Sequence, residues 1–138
     1  MLHSEITSKI IQACFEVSNE LGIGYLESVY ENALFVALQQ KQLQVARQVP
    51  LKVRFRDVIV GDFRADMLIE NKIIVEIKVV SGLLNEHFAQ LLNYLKTTGI
   101  PVGLVVNFGT SKLQYRRFLN RFGSERPISD VLKELISE

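Results

Sequence analysis

The chain has 138 residues, 48% of them hydrophobic and 22% charged, with 16 Lys and Arg against 15 Asp and Glu and a net charge of +1. That is one domain's length with ample core material, and the near-balance of charge excludes a polybasic-tail binder and an acidic solvating tail. The single cysteine, Cys14, excludes an internal disulfide, a four-cysteine zinc site and a cysteine-ligated iron–sulfur cluster.

The N-terminal Met-Leu-His-Ser-Glu lacks the basic and apolar regions of a signal peptide. Every apolar run is too short to span a bilayer. The expectation is therefore a single domain over residues 1–138, cytoplasmic, with no membrane partner. Residues 4–21 predict a helix capped by Ser4, with Ile6, Ile10, Ile11, Cys14, Val17 and Leu21 at helical spacing and Gly22 and Gly24 at its end. Residues 26–42 predict a second helix with Leu26, Val29, Tyr30, Ala33, Leu34, Ala37 and Leu38 on one stripe. Together these form an αα-hairpin.

The middle of the chain reads as strand. Residues 45–49 and 51–55 alternate or nearly so, 58–60 is short, and 63–69 and 73–80 are the two strongest strands. Glu70-Asn71-Lys72 between them has hairpin-turn composition. A helix follows over 86–98, stopped by Gly99 and Pro101. Residues 102–108 form a near-continuous apolar run, as a buried strand requires. Residues 112–119 predict a further strand and 128–136 a short closing helix. The order α-α-β-β-β-β-α-β-β-α describes an α/β fold of the mixed α+β kind: a central mixed sheet flanked by helices.

The chemistry concentrates between Asp66 and Lys78. Side chains alternate along 73–80, so Glu76 and Lys78 share a face of an otherwise apolar strand, where ionised groups are costly unless paired or metal-bound. If residues 70–72 are a three-residue loop, Ile69 pairs with Ile73 and Asp66 falls opposite Glu76, with Cβ atoms about 5 Å apart. Like charges so placed destabilise a sheet, and a bound divalent cation reverses the sign by taking both carboxylates as ligands. Lys78 on the same face would hold or polarise a water. The competing structural reading is a half-solvated surface cluster in which Lys78 pairs with Glu76 or Asp66. Gln90 and Tyr94, four apart on the following helix, share a face within reach of the carboxylates. Their structural reading is a solvated glutamine and a core tyrosine. Glu27, Tyr30 and Glu31 lie at i, i+3 and i+4, and acidic residues there also suit a helix N-terminus. His87 reads as a helix-surface residue, Cys14 as core, and Asn107-Phe108-Gly109 as a strand-to-turn transition.

Gly24-Tyr25-Leu26-Glu27-Ser28-Val29-Tyr30 has the form GxxExxY, and the chain resembles the GxxExxY protein family, placed within the PD-(D/E)XK restriction-endonuclease-like superfamily. The resemblance also covers Arg47-Gln48-Val49-Pro50-Leu51, the strands through Asp66 and Val75-Glu76-Ile77-Lys78, Gln90 to Leu95, and Gly103 to Gly109. It implies a restriction-endonuclease-like core. Asp66 corresponds to the superfamily's metal-binding aspartate, Glu76 and Lys78 to its E-x-K, and Gln90 and Tyr94 to the Q-x-x-x-Y element of the exonuclease-like branch. Glu27 corresponds to an acidic residue on the first core helix, often a further metal ligand. Ala65 stands where the superfamily's pattern has proline. The implied activity is a Mg²⁺-dependent (or Mn²⁺-dependent) phosphodiesterase acting on DNA. Asp66, Glu76, the Ile77 carbonyl and Glu27 are expected to hold the metal, Lys78 to position water, and Gln90 and Tyr94 to orient water or strand. The alternatives are a non-catalytic nucleic-acid-binding or assembly module that keeps the fold, and an RNase. A homodimer is compatible with a domain too small to enclose DNA alone.

The net charge conceals a segregation. Residues 32–56 carry five basic residues and no acidic one, 57–86 carry three basic and six acidic, and 87–126 carry six basic and one acidic. The basic flanks, Lys41 to Arg56 and Lys112 to Arg126, are the expected phosphate contacts, with solvated strand faces as the structural reading.

Overall fold

A computed structural model describes residues 2–120. Two helices come first, α1 (Ser4–Leu21) and α2 (Glu27–Gln40), then strands β1 (Val45–Phe55), β2 (Val58–Ile69) and β3 (Ile73–Lys78), helix α3 (Asn85–Thr98), and strands β4 (Val102–Asn107) and β5 (Gln114–Leu119). The five strands form one sheet in the order β1-β2-β3-β4-β5, antiparallel except for the β3–β4 pair. That parallel pair needs a crossover, and α3 supplies it. The predicted helix at 128–136 and the basic residues beyond 120 lie outside the described residues.

Several boundaries differ from the sequence reading for physical reasons. Ser4 is the first residue of α1 rather than its cap: His3 precedes the helix in the left-handed region, and the Thr7 hydroxyl donates to the His3 carbonyl at 2.9 Å. Residues 45–49 and 51–55 are one strand, because Pro50 sits on an edge strand, where its missing N–H costs no ladder bond that a central strand would need. Residues 58–60 and 63–69 are likewise one strand through Gly61. The five expected strand segments of this region are therefore three strands, one fewer than the four in the expected order. β3 ends at Lys78, since Asn107 takes over the backbone of Val80.

The β2–β3 hairpin has the expected register. Ile69 pairs with Ile73 and Met67 with Val75, and Lys72 N donates to the Ile69 carbonyl at 3.0 Å. Glu70 and Asn71 both have positive φ, as the mirror-image turn that matches strand twist requires.

The sheet is covered on both sides. Helices α1 and α2 pack Ile10, Ala13, Cys14, Val17, Tyr30, Leu34 and Leu38 against Met67, Ile69, Ile73, Val75, Ile77, Leu104 and Val106. Burial pushes the Cys14 thiol up to about 12, so it serves as a small apolar side chain. Helix α3 packs Leu91, Tyr94 and Leu95 against Ile74, Val105, Leu51 and Ala65. Gly103 admits this helix: a Cβ there would stand 2.8 Å from the Leu91 side chain. β3 is thus buried on both faces, which explains its apolar sequence and isolates its two charged residues.

The long β1–β2 hairpin changes sides along its length. Val45, Met67 and Ile69 join the α1–α2 core, whereas Val49, Leu51 and Ala65, also odd-numbered, join the α3 core. The changeover lies at Gln48 and Asp66. The ladder pairs Arg47 with Met67 and Val49 with Ala65 and skips the position between, where Gln48 has φ +49°. A left-handed residue inside a strand re-aims its neighbours.

Candidate functional site

At that changeover the side chains of Asp66 and Glu76 replace the missing rungs of the β2–β3 ladder. Asp66 N donates to Glu76 Oε1 at 3.1 Å, and Ile77 N donates to Asp66 Oδ2 at 2.7 Å. Each carboxylate is thereby fixed by the other strand's backbone, and the two acids lie together as the hairpin register requires. Glu76 is 3% exposed. Burial, followed by the nearby Asp66 charge, pushes its carboxyl up to about 8, against the stabilising Asp66 N–H and Lys78 charge. Asp66 is also raised, first by burial, with the Ile77 N–H opposing and Glu31 adding to the shift. Glu27, at the start of α2, is raised by burial and then by Asp66. These acids resist ionisation because burial strips their charged forms of water and neighbouring acids add negative charge, which outweighs the Lys78 charge.

Lys78 does not salt-bridge either carboxylate. Its Nζ donates instead to Gln90 Oε1 at 2.9 Å, and Gln90 Nε2 donates to the Tyr94 hydroxyl at 3.1 Å. The i, i+4 pair on α3 therefore holds the lysine by a relay of neutral groups. Burial, then Glu76, raises the Tyr94 phenol. Glu76, Lys78, Gln90 and Tyr94 come from two elements on one side of the sheet, and Asp66 and Ile77 join them through the backbone bonds already described.

Glu27, Tyr30 and Glu31 divide their labour. Tyr30 is wholly buried, stacks on Phe108 at 5.1 Å, donates to the Gly22 carbonyl at 2.7 Å and accepts from Tyr25 N at 3.3 Å. It fixes the loop between α1 and α2 and so the point where Glu27 enters. Glu31 is taken by β1: Arg47 Nη2 donates to it at 2.7 Å and Gln48 Nε2 at 2.6 Å. The Gln48 amide also acts on Asp66 and works against the upward shift of that acid.

Gln48 and Glu31 are therefore neighbours of the site to which the sequence reading assigned no role there. The signals for Gln48 are its place in the 47–51 segment that shares the family resemblance and its polarity in a strand just before Pro50. Its left-handed backbone, which turns the amide toward two acids, has no sequence mark. The basic flank 41–56 is not one solvated face. Lys41 pairs with Glu16, Arg47 with Glu31 and Asn32, and Lys52 with Asp62. His87 accepts a hydrogen bond from Leu84 N at 2.9 Å and so closes the first turn of α3.

Two desolvated carboxylates held by backbone N–H groups are the donor chemistry of a hard divalent cation. Among the described residues no three His, Cys, Asp or Glu side chains gather into a metal-holding group. The Asp66–Glu76 pair is by itself a sufficient protein donor set for a cation such as Mg²⁺, which commonly takes one or two carboxylates and completes its shell with water and substrate phosphate. No described helix is long and apolar enough to cross a membrane.

Comparison with known proteins agrees with this architecture. A solved structure titled "Crystal structure of SSO0001" superposes with a TM-score of 0.54 over 98% of this chain, at 19% identity. The chain spans 65% of that protein's length. At that identity the likeness is one of fold, and the mixed sheet with helices on both faces is a restriction-endonuclease-like α+β fold. No curated protein matches the chain. A family model described as PD-(D/E)XK nuclease superfamily matches residues 4–118, a span that includes both strands of the acid pair and all of α3. The chain belongs to the PD-(D/E)XK nuclease superfamily.

Proposed function

We propose that the protein is a metal-dependent nuclease that hydrolyses phosphodiester bonds, with DNA as substrate and Mg²⁺ or Mn²⁺ as cofactor. The observation that carries this reading is the acid pair Asp66–Glu76, buried, mutually fixed and in no salt bridge among the described residues, beside a lysine whose ammonium is hydrogen-bonded to Gln90. A purely structural ion cluster would place Lys78 on the carboxylates. Asp66 and Glu76 would hold the metal with the carbonyl of Ile77, and Glu27 would act from the outer side of the site. When bound, the metal would supply the charge that lets both carboxylates ionise, acidify water and neutralise phosphate charge. Lys78, aimed by Gln90 and Tyr94, holds the attacking water and offsets charge developing on the phosphate oxygens. The GxxExxY motif at residues 24–30 supports membership of the GxxExxY subfamily, with Tyr30 setting the approach of Glu27.

A non-catalytic nucleic-acid-binding module is the second reading, favoured by the upward-shifted carboxyls of Glu76 and Asp66, which need no metal while they hold protons. The test is hydrolysis of labelled single-stranded, duplex and branched DNA and RNA with Mg²⁺ or Mn²⁺, beside Asp66→Ala. Metal-dependent cleavage that Asp66→Ala abolishes supports the nuclease. Binding without cleavage by either protein selects the second reading, and cleavage of RNA alone selects an RNase.

A further inference from the structure

Among the described residues, the outer half of the β1–β2 hairpin has no sheet neighbour on its β2 side. β3 pairs with β2 only at residues 67–69, so the hairpin beyond Ala65 pairs chiefly with itself. Yet Phe55, Val58, Ile59, Val60 and Phe63 are exposed on it. A two-stranded ribbon is marginal in water, and a cluster of exposed apolar groups on it marks a contact surface. The register sorts its side chains. Val53, Phe55, Val58 and Phe63 continue the face of Leu51 toward α3, while Lys52, Arg54, Asp62 and Arg64 take the other.

Phe63 is held in place. Its ring lies over Gly61, where a Cβ would stand 2.7 Å from Phe63 Cε2. On its other flank it meets Tyr94, with ring centroids 6.0 Å apart at 48°. Tyr94 is the end of the Gln90–Lys78 relay, so a ring that is 46% exposed abuts the candidate site, on the same strand as Asp66.

We propose that Phe63, with Phe55 farther along the ribbon, is a base-stacking platform that admits single-stranded nucleic acid to the site. The proposal rests on the nuclease reading of that site. In a duplex the base faces are covered by their neighbours, whereas an exposed, fixed ring offers a face to a base that has none. Charge selects the partner. Residues 52–64 carry four basic and two acidic residues. Arg54, Arg56 and Arg64 form no salt bridge among the described residues, and the Arg56 guanidinium lies 4.9 Å from the centre of the Phe55 ring. Such a ribbon attracts a polyanion and repels a second copy of itself.

The test is fluorescence anisotropy of labelled oligo-dT, oligo-U and a blunt DNA duplex in EDTA, where nothing is cut. Phe63→Ala should weaken single-strand binding by about 5- to 100-fold and leave the duplex unchanged. Phe63→Trp should bind as wild type. Phe63→Leu, which keeps the apolar bulk and removes the ring, should behave as Phe63→Ala. Loss on oligo-dT, oligo-U or both supports the platform and tells which sugar it accepts. The proposal is overturned if wild type binds no single strand, if Phe63→Leu binds as wild type, or if duplex affinity falls equally. It is also overturned if sedimentation shows a wild-type dimer that Phe63→Leu dissociates, which would make a second copy the occupant. Ring-dependent binding without any cleavage leaves the platform standing and removes the nuclease reading. Cleavage indifferent to residue 63 does the reverse.

Discussion

β3 and β4 run side by side in parallel register, and each buries a polar side chain. On β4, Asn107 is fully buried and fully bonded. Its Oδ1 accepts from Val80 N and Gly109 N at 3.0 and 2.9 Å, and its Nδ2 donates to the Val80 carbonyl and Gln114 Oε1 at 3.0 and 3.1 Å. An amide can make no more than this. On β3, Glu76 is almost as deeply buried, but its nearest charge is another acid and its carboxyl is pushed up to about 8. Burial of a polar group does not by itself mark a site. The mark is a group whose charged form is left without its counterpart. Asn107 is a clamp that fastens the end of β3 to the turn after β4. There Gly109 comes so close that a Cβ would stand 2.4 Å from the Val80 carbonyl oxygen.

The contrast can be broken at either strand, and the largest effect is expected at Lys78. Among the described residues its one hydrogen bond is to Gln90, so Lys78→Ala should leave thermal stability near wild type. On the nuclease reading it lowers the hydrolysis rate by about 10²- to 10³-fold, as removal of one charge-stabilising donor does. A fall in melting temperature that accounts for the lost rate would make Lys78 structural. Asn107→Ala should do the opposite. It strands buried backbone groups of Val80 and Gly109 and costs about 3 kcal/mol in denaturant unfolding. The folded fraction should keep its activity.

Glu76→Gln is the finer test, read through pH. The folded carboxyl sits near 8 instead of 4.5, so the native state holds a proton that the unfolded chain releases. In EDTA, the stability from this group is fully present below about pH 4.5 and is lost as pH rises through 8. The slope is at most about 1.4 kcal/mol per pH unit per proton. Asp66 and Glu27 are also raised and add with the same sign. Glu76→Gln, an uncharged near-isostere, should flatten the slope and be more stable than wild type at pH 8. An unchanged slope would place the titration elsewhere.

Much of this arrangement is written in local pattern. The alternation of Ile73, Val75 and Ile77 against Glu76 and Lys78, with a turn at 70–72, is enough to bring Asp66 to Glu76, because a hairpin register propagates two residues at a time. The i, i+4 spacing of Gln90 and Tyr94 is equally local. What escaped is tertiary. Nothing in residues 45–55 announces that Gln48 adopts φ +49°, since that conformation answers to Glu31 and Asp66 from two other elements. The partner of Lys78 was open between carboxylate and water in one dimension, and the structure gives it to an amide on α3. Ser4 looked like a cap by composition, yet the chain turns at His3 instead.

On the nuclease reading, Asp66 and Glu76 are a buried acid pair, in no salt bridge among the described residues, that a divalent cation completes. Calorimetric titration of Mn²⁺ and Mg²⁺ into wild type and Glu76→Gln near pH 7, in buffers of different ionisation enthalpy, tests this most directly. The account predicts saturable binding by wild type with proton release, because the Glu76 carboxyl must ionise to serve as a ligand. It also predicts that Glu76→Gln binds far more weakly and releases fewer protons. No binding by wild type, or the same affinity and proton release in Glu76→Gln, would contradict it.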